Sequence, residues 1–369
     1  MNWQRAMAAV GAAVGLNALA QHDPRPLEFE RTEIQPASEL IHLGVSPFYR
    51  FVTRDGLVVG SYATPGGGAT TFLQRADGSG FEPLGDLAPR GANSLGDVVG
   101  VVGGAGAVDR AGEPLQIVQD PSVSSSRLWG ISDTGLAVGQ AIMADGERPQ
   151  PISFDRGGLS ILPLPAGTRG ATALAISPDG RTIVGVTRGA SINDGVERVL
   201  VWRDGVVRET AISVPSFLSP YPSEVSDSGV LLLNAAFSID PPGTKVFDLN
   251  ADEELYADTF ESFIFSGGLS PTQAAGVSED GLIAHAPFEP LPFPSPQLGF
   301  TDFAGTTPFQ TDSSLFSIQF LDWDITGTNL LTRESDGTSA TSFLYSRIPS
   351  PGVPALFGGG ALLATRRRR

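Results

Sequence analysis

One short phrase returns along almost the whole chain, and it restricts the fold more than any other feature of the sequence. Its clearest copy reads Ala175-Ile176-Ser177-Pro178-Asp179-Gly180-Arg181-Thr182-Ile183-Val184-Gly185-Val186. Ser-x-Asp-Gly offers an Asx or type I/I′ turn in which glycine takes the positive-φ position. The residues that follow, Thr182, Ile183, Val184 and Val186, are β-branched and suit a pleated strand.

Further copies are Arg54-Asp55-Gly56-Leu57-Val58-Val59-Gly60, Asn93-Ser94-Leu95-Gly96-Asp97-Val98-Val99-Gly100 and Ile131-Ser132-Asp133-Thr134-Gly135-Leu136-Ala137-Val138-Gly139. More divergent ones follow at Val225 to Leu233, Val277 to Ala284 and Trp323 to Leu331. With Gly56, Gly96, Gly135, Gly180, Gly229, Gly281 and Gly327 as equivalents, the spacing is 39 to 52 residues, the period of four-stranded propeller blades. Between the turns lie further strand signals, such as Thr70 to Gln74 and Val199 to Trp202, and Asp-Gly hairpin turns at Asp77-Gly78 and Asp204-Gly205. A parallel β-helix needs a much shorter period, and βαβ units need amphipathic helices that this chain lacks. The expectation is an all-β chain: a single β-propeller, most simply of seven blades.

Closure is expected from the chain ends. The last unit stops after Ser342-Phe343-Leu344-Tyr345, whereas Leu40-Ile41-His42-Leu43 precedes the first turn as an orphan strand, similar to Phe81 to Leu87 and Leu159 to Leu164. Pairing the two removes an exposed edge. The expected division is residues 1–20 as a signal peptide, 21–37 as an N-terminal segment in which Leu27 to Ile34 alternates like an edge strand, 38–347 as the propeller, and 348–369 as a C-terminal sorting segment. The Phe- and Pro-rich run from Pro287 to Pro308 reads as an insertion loop, because proline cannot donate to a ladder.

Glycine and proline, at 45 and 29 residues, fall where turns are needed, and an apolar fraction of 41% can supply a large core. The formal charge of −16 disfavours nucleic acid and anionic lipid as main partners, which need clustered Lys and Arg. Cysteine is absent, so there is no disulfide, thiolate metal site or cysteine nucleophile.

The two ends read as addresses. Arg5 precedes an apolar run from Ala6 to Leu16, and Ala18-x-Ala20 then offers a signal-peptidase site before Gln21. At the other end, Pro349-Ser350-Pro351 breaks the β pattern, an apolar stretch of 13 residues runs from Val353 to Thr365, and Arg366, Arg367, Arg368 and Arg369 close the chain. That stretch is shorter than the roughly 20 residues of a stable span, so a transient membrane association is expected, with the arginines on the cytoplasmic side. Without Arg5 and the four terminal arginines, five positive charges in all, the formal charge moves from −16 to −21.

The tail resembles the PEP-CTERM sorting signal of Gram-negative bacteria, with Pro-Ser-Pro where that family carries Pro-Glu-Pro. The resemblance implies processing by an exosortase-type protease and an address at the cell envelope, outer surface or extracellular matrix. The body, best at Ile131 to Gly139 and Ile176 to Gly185, resembles the HAF-type extracellular repeat family, which implies a propeller-like surface protein without a defined reaction.

Few residues speak for chemistry. The three histidines, His22, His42 and His285, lie far apart and form no HxxxH or HExxH motif. No Gly-x-Ser-x-Gly elbow nominates a serine. Asp133, Asp179, Asp227 and Asp280 come one per unit, a spacing that fits turn capping rather than calcium, which gathers several oxygens within about a dozen residues. Trp129, Trp202 and Trp323 could stack on a sugar, though Trp202 sits in an apolar strand where core packing is the default. No catalytic, cofactor or metal residue is nominated. The leading expectation is a non-enzymatic surface protein that binds protein or exopolysaccharide, with a propeller hydrolase or lyase acting on extracellular polysaccharide as the alternative.

Overall fold

The computed structural model describes residues 29–348 apart from 65–66, 147, 189–195, 216–220, 235–243, 258–273, 278–282, 286–297, 303–304, 310–316, 324–328 and 336–338. The chain is an all-β propeller. Its described strands form seven four-stranded antiparallel sheets. Six are built from consecutive strands and begin at Phe48, Ala88, Val123, Ala171, Tyr221 and Ala274. The seventh begins at Ser317, and its outermost strand comes from the other end of the chain.

Each sheet's first strand contacts the first strand of the next, and Ser317–Trp323 of the last contacts Phe48–Val52 of the first. These strands therefore ring the axis. The core lies in layers between facing sheets. Val59, Leu73, Leu84, Leu87, Val98 and Ala107 fill the space between the first and second sheets, and Val99, Val108, Leu128, Ala141 and Ile152 that between the second and third.

The recurring phrase folds as a turn between first and second strands. Gly56, Gly96, Gly135, Gly180 and Gly229 all have positive φ, from 72° to 87°. Each donates its N–H to the carbonyl three residues before, on Thr53, Asn93, Ser132, Ser177 and Ser226. The turns at Gly281 and Gly327 lie outside the described residues.

The closing strand differs from expectation. Leu40 to Leu43 is not a strand: Ser38–Leu43 is a short helix ended by Gly44 at φ 65°, with Leu40 buried and Ile41 and Leu43 exposed. Four residues with one inward side chain do not make the alternation that a half-buried strand requires. The partner of the last sheet is Phe29–Glu33, paired antiparallel with Ala340–Arg347 from Phe29↔Arg347 to Glu33↔Phe343. The propeller therefore starts before residue 38. Residues 34 to 40 then wedge between the last and first sheets, where Ile34, Ala37 and Leu40 pack with Tyr49, Phe72, Leu331 and Leu344.

The proline-rich run is also more regular than its composition implies. Leu298–Asp302 and Gly305–Phe309 are the third and fourth strands of the sixth sheet. Pro308 is tolerated because it lies in the outermost strand, where one side of the ladder is unpaired.

Candidate functional site

Every sheet breaks register at the same place. The first strand skips one residue against the second: Arg50, Arg90, Trp129, Leu174, Ser223, Ala275 and Leu321 in turn. A bulge bends a strand and re-aims the side chain it extrudes. The glycine that ends the phrase faces this bulge. Gly100, Gly139 and Gly185 pair with Pro89, Leu128 and Ala173, and a Cβ on any of them would run into the carbonyl of Ala88, Arg127 or Thr172.

Three of the extruded residues, Arg90, Trp129 and Leu174, line one axial cavity of about 160 Å³ at the end of the first strands. Phe51, Ile131, Ile176 and Val225 give it apolar walls, and Arg54, Ser94, Asp133 and Glu224 add polar groups. The Arg90 guanidinium lies 5.1 Å from the centre of the Trp129 ring. Trp129 Nε1 is buried with no hydrogen-bond partner among the described residues.

The turns around this mouth are linked sheet to sheet. Asn93 Nδ2 donates to the Ser132 carbonyl at 2.9 Å, and the Ser94 N–H donates to Asp133 Oδ1 at 3.0 Å. The Asp133 N–H donates to the Pro178 carbonyl at 2.8 Å, and the Asp179 N–H to Asp227 Oδ1 at 2.9 Å. Asn329 Nδ2 joins the last sheet to the first through the Arg54 carbonyl at 2.8 Å. Within the turns at Gly135, Gly180 and Gly229 the cap is the serine three residues before the glycine. Ser132, Ser177 and Ser226 are buried, and their Oγ atoms accept the N–H of Leu136, Thr182 and Val230.

Asp179 both caps and links. Burial works to raise its pKa, but hydrogen bonds from Ser177 Oγ and the Arg181 N–H, with the contact to Asp227, hold it below the ordinary carboxylate value. Asp133 and Asp227 are spent on neighbouring turns, while Asp280 lies outside the described residues. Among the described residues no group of three or more His, Asp or Glu could hold a metal ion.

Of the other residues singled out by sequence, Trp202 is buried and its Nε1 donates to the Pro163 carbonyl at 2.7 Å, a core role. Trp323 and His285 lie in strands, and His42 is exposed on the short helix. His22 and the sorting residues Ala18, Ala20, Pro349, Ser350, Pro351, Arg366, Arg367, Arg368 and Arg369 lie outside the described residues. Arg90 escaped notice because a bulge leaves no periodic trace, and Arg54 because it lies in the turn between the first two strands.

No family model matches the chain, and no curated protein matches it. Solved structures do. Puromycin hydrolase is 15% identical with a TM-score of 0.55 over 88% of this chain and 55% of that one. The β-propeller domain of the Trilobed protease from Pyrococcus furiosus is 12% identical with a TM-score of 0.52 over 82% of this chain and 93% of that one. At these identities the likeness establishes the propeller fold. The chain spans about half the length of the puromycin hydrolase, 55%. These neighbours correct the expectation of a non-enzymatic protein, which rested on the lack of a His and carboxylate set in the sequence: propellers of this shape stand in a hydrolase and a protease.

Proposed function

We propose that this chain works in hydrolysis of extracellular polymers, as a seven-bladed propeller that takes substrate at the axial mouth formed by Arg90, Trp129 and Leu174. The observation that carries this is the cavity: extruded side chains from three consecutive sheets meet there between apolar walls and a few polar groups, the usual make-up of a ligand site. The propellers of puromycin hydrolase and the Trilobed protease support the reaction class by analogy of fold. Seven sheets and a closed ring of first strands support the blade number.

The test is turnover by the purified chain on aminoacyl nitroanilides, short peptides and an exopolysaccharide panel. Turnover of one class that Trp129→Ala removes is expected; no turnover of any class would overturn the reading.

Export belongs to the same proposal. Signal peptidase would cut after Ala20, and an exosortase-type protease would act near Pro349-Ser350-Pro351, leaving the protein at the envelope or in the matrix of a Gram-negative-type bacterium. Mass spectrometry of the mature protein should find Gln21 first and Arg366 to Arg369 gone; intact ends would contradict it.

A further inference from the structure

The axial mouth presents two exposed arginines. Arg54 and Arg90 both line it, and among the described residues neither is in an ion pair, on a chain of net charge −16. The two lining carboxylates are already engaged: Asp133 Oδ1 accepts from the Ser94 N–H, and Glu224 holds a contact of its own. Both guanidiniums are exposed, so what they offer a ligand is charge-assisted hydrogen bonding, which favours acceptor oxygens and negative charge.

Volume and wall chemistry narrow the choice. The cavity is about 160 Å³, and an engineered apolar cavity of about 150 Å³ takes one benzene ring. One ring-sized or branched side chain fits, but not the run of a polymer. Beside the arginines the walls are Phe51, Ile131, Leu174, Ile176 and Val225. A sugar ring would set several hydroxyls against these apolar walls, each at the cost of an unmade hydrogen bond, whereas an apolar amino-acid side chain would not.

We propose that the axial mouth binds the free C-terminal carboxylate of a peptide that ends in an apolar residue, with Arg54 and Arg90 as its counter-ions and the apolar wall receiving the last side chain. This rests on the reading of the cavity as the place where substrate is held. Binding to Arg54 and Arg90 does not require turnover, so the two readings fail separately.

Calorimetry on the full chain decides it, with acetyl-Ala-Ala-Phe as the free acid, the same peptide as its C-terminal amide, and trigalacturonate as the glycan carboxylate. The free acid is expected to bind at least tenfold more tightly than the amide, with an affinity that falls as salt rises. Arg90→Gln and Arg54→Gln are each expected to bring the acid down towards the amide while leaving the amide and the thermal midpoint unchanged. Equal binding of acid and amide, arginine variants that bind the acid normally, binding of trigalacturonate in place of the peptide, or no binding of any probe would each overturn the proposal. Peptide binding without turnover would sink the hydrolytic reading and leave this one standing.

Discussion

Between the second and fourth sheets, neighbouring turns are joined by short hydrogen bonds such as Ser94 N–H to Asp133 and Asp133 N–H to Pro178, whereas the last and first sheets are joined by a strand, a wedge and a buried charge. Inside the ring, consecutive sheets are tethered by the chain itself, so each seam needs only modest contacts to be aligned. The closing seam joins residues about three hundred positions apart and has no tether, which makes loop closure its particular entropic burden. Its contacts are correspondingly heavier. Phe29–Glu33 completes the last sheet, and Gln74, fully buried, reads the wedge by donating to the Gln35 carbonyl and accepting the Ala37 N–H.

At the centre of that seam lies Glu334, buried, accepting from Arg31 at 2.5 Å, from the Tyr345 hydroxyl at 2.6 Å and from Thr332 Oγ1 at 3.2 Å. Arg31 also lies 3.5 Å over the Phe343 ring. Burial works to lower the Arg31 pKa, yet the bond to Glu334 holds it above its ordinary value. Burial, then the Glu334 carboxylate, push the Tyr345 hydroxyl well above its ordinary value, so it stays a donor. Tyr49, in the same layer, is pushed up to about 12 by burial against its hydrogen bond with Gln74.

Substitutions ranked by effect separate the two kinds of seam. Glu334→Ala strips acceptors from Tyr345, Thr332 and Arg31 at once; breaking a buried pair costs about 3 to 5 kcal/mol, and the part exposure of Arg31 puts the expected loss near the lower end, about 3 kcal/mol by urea unfolding. Gly139→Ala places a methyl group against the Arg127 carbonyl and is expected to cost about 2 kcal/mol, with the third sheet opening first in hydrogen exchange. Asp133→Ala loses one inter-turn bond and is expected to cost about 1 kcal/mol. If it cost as much as Glu334→Ala, the contrast between seams would fail.

Acid sensitivity is the smallest effect. Because the Asp179 pKa is lower in the folded chain than in the unfolded one, its stabilisation is present above the ordinary carboxylate value of about 4 and is lost as pH falls through the folded value. Asp179→Asn should flatten the fall in urea midpoint between pH 5 and pH 3, in roughly that window, with unchanged slope against denaturant. An identical acid limb in the variant would contradict the assignment.

The repeat was legible because its turn and strand chemistry is local: the glycines at 56, 96, 135, 180 and 229 take the positive φ that the turn demands. What stayed hidden depends on neighbours. The closing glycine of the phrase is explained by a bulge on the adjacent strand, and the capping expected of the aspartates is carried at Ser132, Ser177 and Ser226 by the serine Oγ. Leu40 to Leu43 looked like a strand because its apolar residues are dense, yet only Leu40 turns inward. The alternating stretch at Leu27 to Ile34 carried the better signal, and its residues Phe29–Glu33 make the closing strand.

Closure is tested most directly by hydrogen exchange on the chain with and without residues 29 to 44. If the last sheet and the wedge close the ring, deletion should speed exchange in second strands all round it, at Val98–Val102, Ala137–Met143 and Thr182–Thr187 as much as at Asn329–Ser335. Faster exchange confined to Asn329–Ser335 and Ala340–Arg347, with the other sheets unchanged, would contradict it.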